Sequence, residues 1–166
     1  MPALTAILHT HNDALRLGRA LETLYACDHI VIVDHDSRDA TIRIARQYGA
    51  RIVSADANPS TSAVGTDLDL AYGWLLCLTP HESLTESLAS SLFELKLNAS
   101  VKSADTPLSA SYAVSLREET PNGWIDHPTP QTRLVPSHWS DWNNDLPIHD
   151  PSAITLAGEL LRFTLP

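Results

Sequence analysis

The sequence predicts an α/β fold with a mostly parallel sheet, to which the second half of the chain adds antiparallel strands. Up to residue 97, short β-branched runs alternate with segments whose apolar residues recur every three or four positions, as in parallel sheets covered by helices. After residue 109, apolar residues recur at every second position, as in strands with one buried face. We therefore expect one domain over residues 1–166, with an α/β half to residue 97 and a β-rich half from residue 98.

Four strands are predicted in the first half, at residues 4–8, 29–33, 51–53 and 74–78. Helices are predicted after the first, second and fourth strands, because residues there share one helical face. These residues are Leu17, Ala20, Leu21 and Leu24 in the first helix, Thr41, Ile44, Ala45 and Tyr48 in the second, and Leu84, Leu88, Leu92 and Leu95 in the third. Gly49 is suited to end the second helix, because glycine adopts the left-handed conformation without strain.

The second half begins with a predicted loop at residues 98–107, which are rich in serine, alanine and polar residues. Alternation over residues 110–116 then predicts a strand, and residues 121–123 predict a turn. Further strands are predicted at residues 132–135 and 154–165. We expect these strands to complete the sheet of the first half.

Charge and cysteine content narrow the classes of partner. The chain carries 11 Lys and Arg against 20 Asp and Glu, a formal net charge of -9, which argues against a nucleic acid as partner. Cys27 and Cys77 lie in apolar segments and predict buried reduced thiols, which favours the cytoplasm.

The sequence shows no targeting or membrane-spanning segment. The apolar N-terminus lacks the cationic start of a signal peptide. No run approaches the roughly 18 apolar residues that a membrane-spanning helix needs. We expect a soluble protein, for which a peripheral membrane contact stays open.

Polar residues follow three of the predicted strands, at residues 9–13, 34–39 and 79–82. In open parallel sheets, ligands bind at the carboxyl ends of the strands. The three segments contain carboxylates, imidazoles and hydroxyls. The sequence therefore predicts a polar ligand site at this edge of the sheet.

The same three segments carry a resemblance to a known family. Thr10-His11-Asn12-Asp13 resembles a Thr-x-Asn-Glu motif, with Asp13 in place of glutamate. The run from Val33 to Thr41 is similar to an Asp-x-x-Ser-x-Asp-x-Thr loop, and the run from Gly73 to Glu82 resembles a strand leading into an Asp-x-Asp-Glu motif. These are motifs of family 2 glycosyltransferases, especially the bacterial branch that modifies lipopolysaccharide core sugars. The resemblance implies a GT-A-like three-layer α/β/α sandwich that binds a nucleotide-diphosphate sugar and an unknown acceptor.

Six residues would bind the nucleotide by this resemblance: Thr10, Asn12, Asp13, Asp34, Ser37 and Asp39. Asp13 and Asp34 would accept hydrogen bonds from uracil and ribose, while Ser37 and Asp39 would shape the loop around them. Carboxylates suit this role because the uracil N–H and the ribose hydroxyls are donors. From the residues alone, Asp34, Ser37 and Asp39 fit a solvated turn and helix cap equally well.

The family also binds a divalent metal, manganese or magnesium, at its Asp-x-Asp motif, where the ion neutralises the diphosphate. Here Thr79 and His81 replace the two aspartates. Magnesium prefers oxygen ligands and should bind weakly, whereas manganese or zinc could use His81 with Glu82. Basic residues expected ahead of this strand have no match at residues 65–69. We therefore expect sugar transfer to be weak or lost, and residues 79–82 also fit a plain strand-to-helix connection.

His149 and Asp150 lie where family members carry a His-Glu pair. A base that takes a proton from the acceptor hydroxyl must be a carboxylate or an imidazole, and Asp150 is the best candidate. The segment at residues 149–151 also fits an ordinary polar turn.

Three other functions compete with glycosyl transfer. A haloacid-dehalogenase-type phosphotransferase would use Asp34 and Asp36, but Arg38 and the two lysines do not fit its pattern. A metallohydrolase would use His9 and His11, but further ligands are not clearly arranged. A catalytically inactive relative would keep the fold and bind a ligand or a protein, because the acids assigned to the nucleoside survive while those assigned to the metal do not.

Overall fold

The computed structural model describes residues 2–56, 73–101 and 110–164. The strands in these ranges are β1 (Ala3–Thr10), β2 (His29–Asp34), β3 (Arg51–Ser54), β4 (Gly73–Leu78), β5 (Glu82–Leu84), β6 (Tyr112–Thr120), β7 (Gly123–Asp126), β8 (Gln131–Pro136), β9 (Trp142–Asn143), β10 (Leu146–Pro147) and β11 (Ile154–Arg162). The helices are α1 (Ala14–Glu22), α2 (Thr41–Gln47) and α3 (Glu86–Val101).

The main sheet has the strand order β3-β2-β1-β4-β8-β6-β11-β5, and β7 pairs with β6. Strands β1, β2, β3 and β4 run parallel. Strand β8 is antiparallel to both β4 and β6, while β11 is parallel to β6 and antiparallel to β5. The prediction of a parallel first half that gains antiparallel strands is therefore confirmed. Strand β8 joins the two halves in one sheet, and the division at residue 97 stays a prediction.

Each side of the sheet carries its own apolar cluster. Because side chains alternate along a strand, Leu8 faces one cluster and Ile7 the other. The three helices of the described residues all pack on the Leu8 side. The Ile7 side is covered by Trp139, Trp142 and Leu146, in and around the β9–β10 hairpin. In the described ranges the layer on this side is thus a hairpin, where the sequence predicted helices.

The third helix begins later than predicted. Leu84 was expected on its apolar face, but it lies in β5 and pairs with Leu160 of β11. The Thr85 hydroxyl accepts a hydrogen bond from the backbone N–H of Leu88 at 3.2 Å, which caps the first turn of α3. The spacing of Leu84 and Leu88 fits a helix, so periodicity alone extends the helix one turn too far.

Two other predictions about local structure have clear outcomes. The helix α3 runs to Val101, so residues 98–101 are helical rather than part of a loop, and residues 102–107 lie outside the described residues. Gly49 follows α2 with φ of +72°, as expected for a helix end.

The described residues also bear on the thiols and on membranes. Cys77 is buried and Cys27 half-buried, both as free thiols, and burial raises the pKa of each to about 12. The sequence predicted buried reduced thiols. None of the described helices has the length and apolar character needed to cross a bilayer.

The pairing of β11 with β6 shifts register between Thr155 and Glu159, and Gly158 lies within this interval. The φ of Gly158 is +97°, and a Cβ added there would lie 2.2 Å from the backbone nitrogen of Leu88. Glycine is therefore required twice, by the backbone conformation and by the close approach of β11 to the start of α3.

Gly158→Ala is expected to destabilise the fold strongly. The left-handed conformation costs about 1–3 kcal/mol for a residue with a Cβ, and the clash with α3 adds about 1–3 kcal/mol. Gly123→Ala is the matched control, because Gly123 has φ of +111° with nothing within 4 Å of an added Cβ. Urea unfolding of both variants measures the difference. Equal losses in the two variants would contradict a packing role for Gly158.

Candidate functional site

The loops that follow β1 and β2 meet at the carboxyl edge of the sheet. Thr10 and Asp34 are partners in the parallel register of β1 and β2. The backbone N–H of His35 donates to the carbonyl of Thr10 at 2.8 Å, so the two strands leave the sheet together. The segments beyond them are consequently held side by side.

The carboxylate of Asp34 organises these loops. Asp34 is only 6% exposed, and its Oδ1 accepts hydrogen bonds from the Thr10 hydroxyl at 2.8 Å and the Ser37 hydroxyl at 2.6 Å. Its Oδ2 accepts from the backbone N–H of Ser37 at 2.9 Å. A buried carboxylate needs such donors, because an unpaired charge away from water is costly. Asp34 therefore fixes the turn that follows β2.

Asn12 links the two loops directly. Its backbone N–H donates to the Ser37 hydroxyl at 2.9 Å, and its side-chain oxygen accepts from the backbone N–H of Arg38 at 2.8 Å. Asn12 has φ of 51°, a conformation that asparagine tolerates better than most residues. This conformation turns the chain back towards the second loop.

The starts of α1 and α2 are joined in the same way. Asp39 accepts hydrogen bonds from the backbone N–H of Thr41 at 2.9 Å and from that of Ala14 at 3.1 Å. The Thr41 hydroxyl accepts from the backbone N–H of Asp13 at 2.9 Å. The hydrogen bond from the Thr41 hydroxyl is the main cause that lowers the pKa of the exposed Asp39. Asp39 thus accepts the first backbone N–H of both helices, close to the capping role that was one of its two predicted roles.

The structure brings together all six residues that were predicted to bind the nucleotide. Asp13 is half-buried, and its carboxylate accepts the backbone N–H of His11 at 2.8 Å. The other five belong to the hydrogen-bond network just described. Their proximity is an observation, whereas their contact with a nucleotide stays a prediction.

A cleft of about 790 Å³ has His9, the residue before Thr10 of this network, in its lining. It is lined by the ends of β1 and β4, by β8, and by the segment that contains the β9–β10 hairpin. Thr79 and His149, two of the predicted site residues, share its wall with His9 and Asp145.

Glu82 is built into the core rather than into the cleft. It is 0% exposed, and Arg133 donates to its two carboxylate oxygens at 2.7 and 2.9 Å. Arg162 donates to Oε2 at 3.1 Å, and the backbone N–H of Thr79 to Oε1 at 2.9 Å. Burial by itself would raise the pKa of Glu82, but the charge and hydrogen bonds of Arg133 lower it overall. With both oxygens engaged, Glu82 does not fit the metal role predicted for it, and His81 is not among the cleft residues.

Asp150 is also engaged within the protein. Its carboxylate accepts hydrogen bonds from the Ser111 hydroxyl at 2.7 Å and from the backbone N–H and hydroxyl of Ser152 at 2.9 and 2.7 Å. The bond from Ser111 is the first cause that lowers the pKa of Asp150. A lower pKa makes a weaker base, so the geometry favours a turn-forming role over the predicted catalytic one. His149 is exposed and lies 3.1 Å from the Thr132 hydroxyl through Nδ1.

A cluster that the sequence did not predict lies at the edge of the cleft. The ring nitrogens of His9 and His35 are 3.0 Å apart, and His9 Nε2 lies 3.4 Å from Asp145 Oδ1. Burial is the main cause that lowers the pKa of His9; His35 lowers it further, while Asp145 raises it. The sequence suggested His9 with His11, but His11 Nδ1 instead contacts the backbone carbonyl of His35 at 2.6 Å. The sequence feature that could have revealed this cluster is the position of His35 directly after β2.

Comparison with known proteins points to glycosyltransferases. No protein-family model matches the chain. A protein of Rickettsia felis described as an uncharacterized glycosyltransferase is 29% identical over 93 residues, covering 53% of this chain and 32% of that protein. This chain therefore spans about a third of the length of that relative.

Similarity to the solved structure of TarS shows the fold. Staphylococcus aureus TarS matches with a TM-score of 0.50 and 16% identity, over 82% of this chain and 28% of TarS. Glucosyl-3-phosphoglycerate synthase from Mycobacterium tuberculosis, in complex with Mn2+, UDP and glucosyl-3-phosphoglycerate, matches with a TM-score of 0.41 and 17% identity, over 70% of this chain and 43% of the synthase. The chain has the GT-A fold, and its resemblance to family 2 glycosyltransferases is confirmed. The lipopolysaccharide-core branch stays a prediction.

Glu82→Gln is expected to lower the free energy of unfolding by about 3–5 kcal/mol, because it leaves the buried Arg133 without its counter-charge. Glu94→Gln on the exposed part of α3 is the control and should change little. Urea unfolding at neutral pH measures both.

The ion pair of Glu82 and Arg133 predicts that the free energy of unfolding depends on pH. Since folding lowers the pKa of Glu82, its contribution is fully present above the unfolded value of about 4.3 and is lost as pH falls through the folded value. The stability gap between the native chain and Glu82→Gln should therefore narrow in acid. A gap that is independent of pH would count against an ionised Glu82.

Proposed function

We propose that this GT-A-fold domain binds a nucleotide-diphosphate sugar, with the nucleoside at the loops after β1 and β2 and the sugar diphosphate towards the cleft. The observation that carries this proposal is the network of Thr10, Asp34 and Ser37 at neighbouring strand ends. It places fixed acceptors where ligands bind in open α/β sheets. The chain spans about a third of the length of the Rickettsia felis protein. Sugar transfer, its acceptor and any partner of the whole protein are therefore proposed as well.

Asp34 keeps capacity for a ligand despite its internal bonds. An ionised carboxylate has about four acceptor positions. In the described residues Oδ1 accepts two hydrogen bonds and Oδ2 one, so Oδ2 has room for a ribose hydroxyl. Asp13 lies on the adjoining loop, and its carboxylate suits the N–H of a pyrimidine base.

The chemistry of the cleft favours weak or absent transfer. Of the described residues that line it, Arg133 alone has a permanent positive charge, and this charge is paired with Glu82. Thr79 supplies a hydroxyl where a metal-binding carboxylate is expected. A diphosphate leaving group would therefore lack the positive charge that normally stabilises it. Binding without turnover, as in a catalytically inactive relative, is the alternative that the same measurements test.

Loss of either acid should weaken nucleotide binding. Asp34→Ala and Asp13→Asn are expected to reduce affinity for uridine diphosphate about ten- to hundredfold, which corresponds to about 1.5–3 kcal/mol per lost charged hydrogen bond. Calorimetric titration measures the affinity. Asp126→Asn is the control, because Asp126 lies in an exposed ion pair with Arg117. Asp34→Ala also removes hydrogen bonds that hold the loop, so Asp13→Asn serves as a second, milder test. Unchanged affinity in both variants would overturn the proposed binding of the nucleoside by these two acids.

Hydrolysis of a donor sugar tests turnover without knowledge of the acceptor. The native chain should hydrolyse UDP-glucose at close to the uncatalysed rate, in manganese and in chelator alike, because its cleft lacks the paired carboxylates. Thr79→Asp combined with His81→Asp should raise manganese affinity if the turn after β4 keeps the geometry of the family. Robust, chelator-sensitive hydrolysis by the native chain would show that it is a working metal-dependent transferase.

A further inference from the structure

We propose that His9, His35 and Asp145 form a binding site for one divalent transition-metal ion of the zinc type. Each residue offers one ligand atom, and the three atoms lie within 4.8 Å of one another. The position is distinct from residues 79–82, where the sequence motif predicted the metal. Binding of the ion does not depend on the proposed nucleotide site.

The ligands are held by separate, well-anchored parts of the fold. His9 is the next-to-last residue of β1 and pairs with Val33 of β2. His35 directly follows β2, where its backbone N–H is bonded to Thr10. Asp145 lies in the turn between β9 and β10, whose Trp142 and Leu146 pack on the sheet. Ligands on such a frame lose little freedom when an ion binds.

The distances suit a small ion after a slight adjustment. Zinc–nitrogen bonds of about 2.0–2.1 Å in a tetrahedral arrangement place neighbouring ligand atoms roughly 3.3–3.4 Å apart. The 3.0 Å contact with His35 involves His9 Nδ1, while the 3.4 Å contact with Asp145 involves His9 Nε2. His9 offers one of these two nitrogens to an ion, and the three ligand atoms then lie within 4.8 Å of one another. Side-chain rotation that brings these atoms from at most 4.8 Å to the tetrahedral spacing would complete the site.

The donor set selects the class of ion. Two imidazoles and one carboxylate are the ligands of many zinc sites with three protein ligands, and magnesium disfavours imidazole nitrogen. His9 and Asp145 line the cleft, so a fourth position of the ion would be open towards it. Only 10% of the His9 side chain is exposed, which limits competition from water for the ring. A bound ion would also offset the charge of Asp145.

Cobalt gives a direct readout that needs no nucleotide. The full chain, stripped with chelator, is titrated with Co2+, whose visible absorption reports tetrahedral coordination, and bound cobalt is then displaced by Zn2+. We expect one equivalent to bind. His35→Ala and Asp145→Asn should each weaken binding more than about a hundredfold, because loss of outer-shell partners alone costs 10–100-fold.

His81→Ala is the matched control, since it removes the imidazole at the position of the family motif. Its affinity for Co2+ should equal that of the native chain. Asp145→Asn keeps the shape of the side chain, so it remains informative if His35→Ala fails to fold. Absence of stoichiometric binding by the native chain, or binding lost in His81→Ala and kept in Asp145→Asn, would overturn the site. Failure of uridine diphosphate to bind would leave these results unaffected.

Discussion

The buried pair of Glu82 and Arg133 sets the geometry on which the rest of the fold depends. Glu82 lies in β5 and Arg133 in β8, strands that β6 and β11 separate in the order of the sheet. Their contact requires the sheet to curl until its far edge returns to the end of β4. At 0% and 1% exposure, neither charge could be left unpaired without a large loss of stability. Arg162 of β11 donates to Glu82, and the carbonyl of Cys77 in β4 accepts from Arg133, so four strands meet at this buried ion pair.

Two buried carboxylates, Glu82 and Asp34, position the backbone around the candidate site. Glu82 holds the backbone of Thr79 and thereby fixes one wall of the cleft. Asp34 holds Ser37 and Thr10 at the neighbouring strand ends. In both cases a carboxylate oxygen accepts a backbone N–H within three residues, so the loop follows the position of the acid. Two hydrogen bonds therefore fix the backbone at the edge of the sheet where the candidate site lies.

Sequence patterns predicted the features that depend on residues close together in the chain. The alternation of strands with helices predicted the parallel half. Neighbouring strand ends bring the six predicted nucleotide residues together, because parallel register places Thr10 beside Asp34. Glu82 could not be placed in this way: it sits beside a recognisable motif, but its partner is 51 residues further along the chain. The approach of Asp145 to His9 has the same cause, since it depends on how the β9–β10 hairpin packs on the sheet.

The place of β11 has a consequence for how the protein reaches its native state. This strand inserts between β6 and β5, and Glu159 bonds to Thr85, 74 residues earlier. Contacts so distant in sequence form slowly, because a long loop must close before they contribute. As the chain leaves the ribosome, β5 and α3 are complete well before their partner strand exists. Until then β5 presents an unpaired edge and Glu82 lacks both arginines, so the growing chain passes through a stage that is prone to aggregation and suited to protection by chaperones.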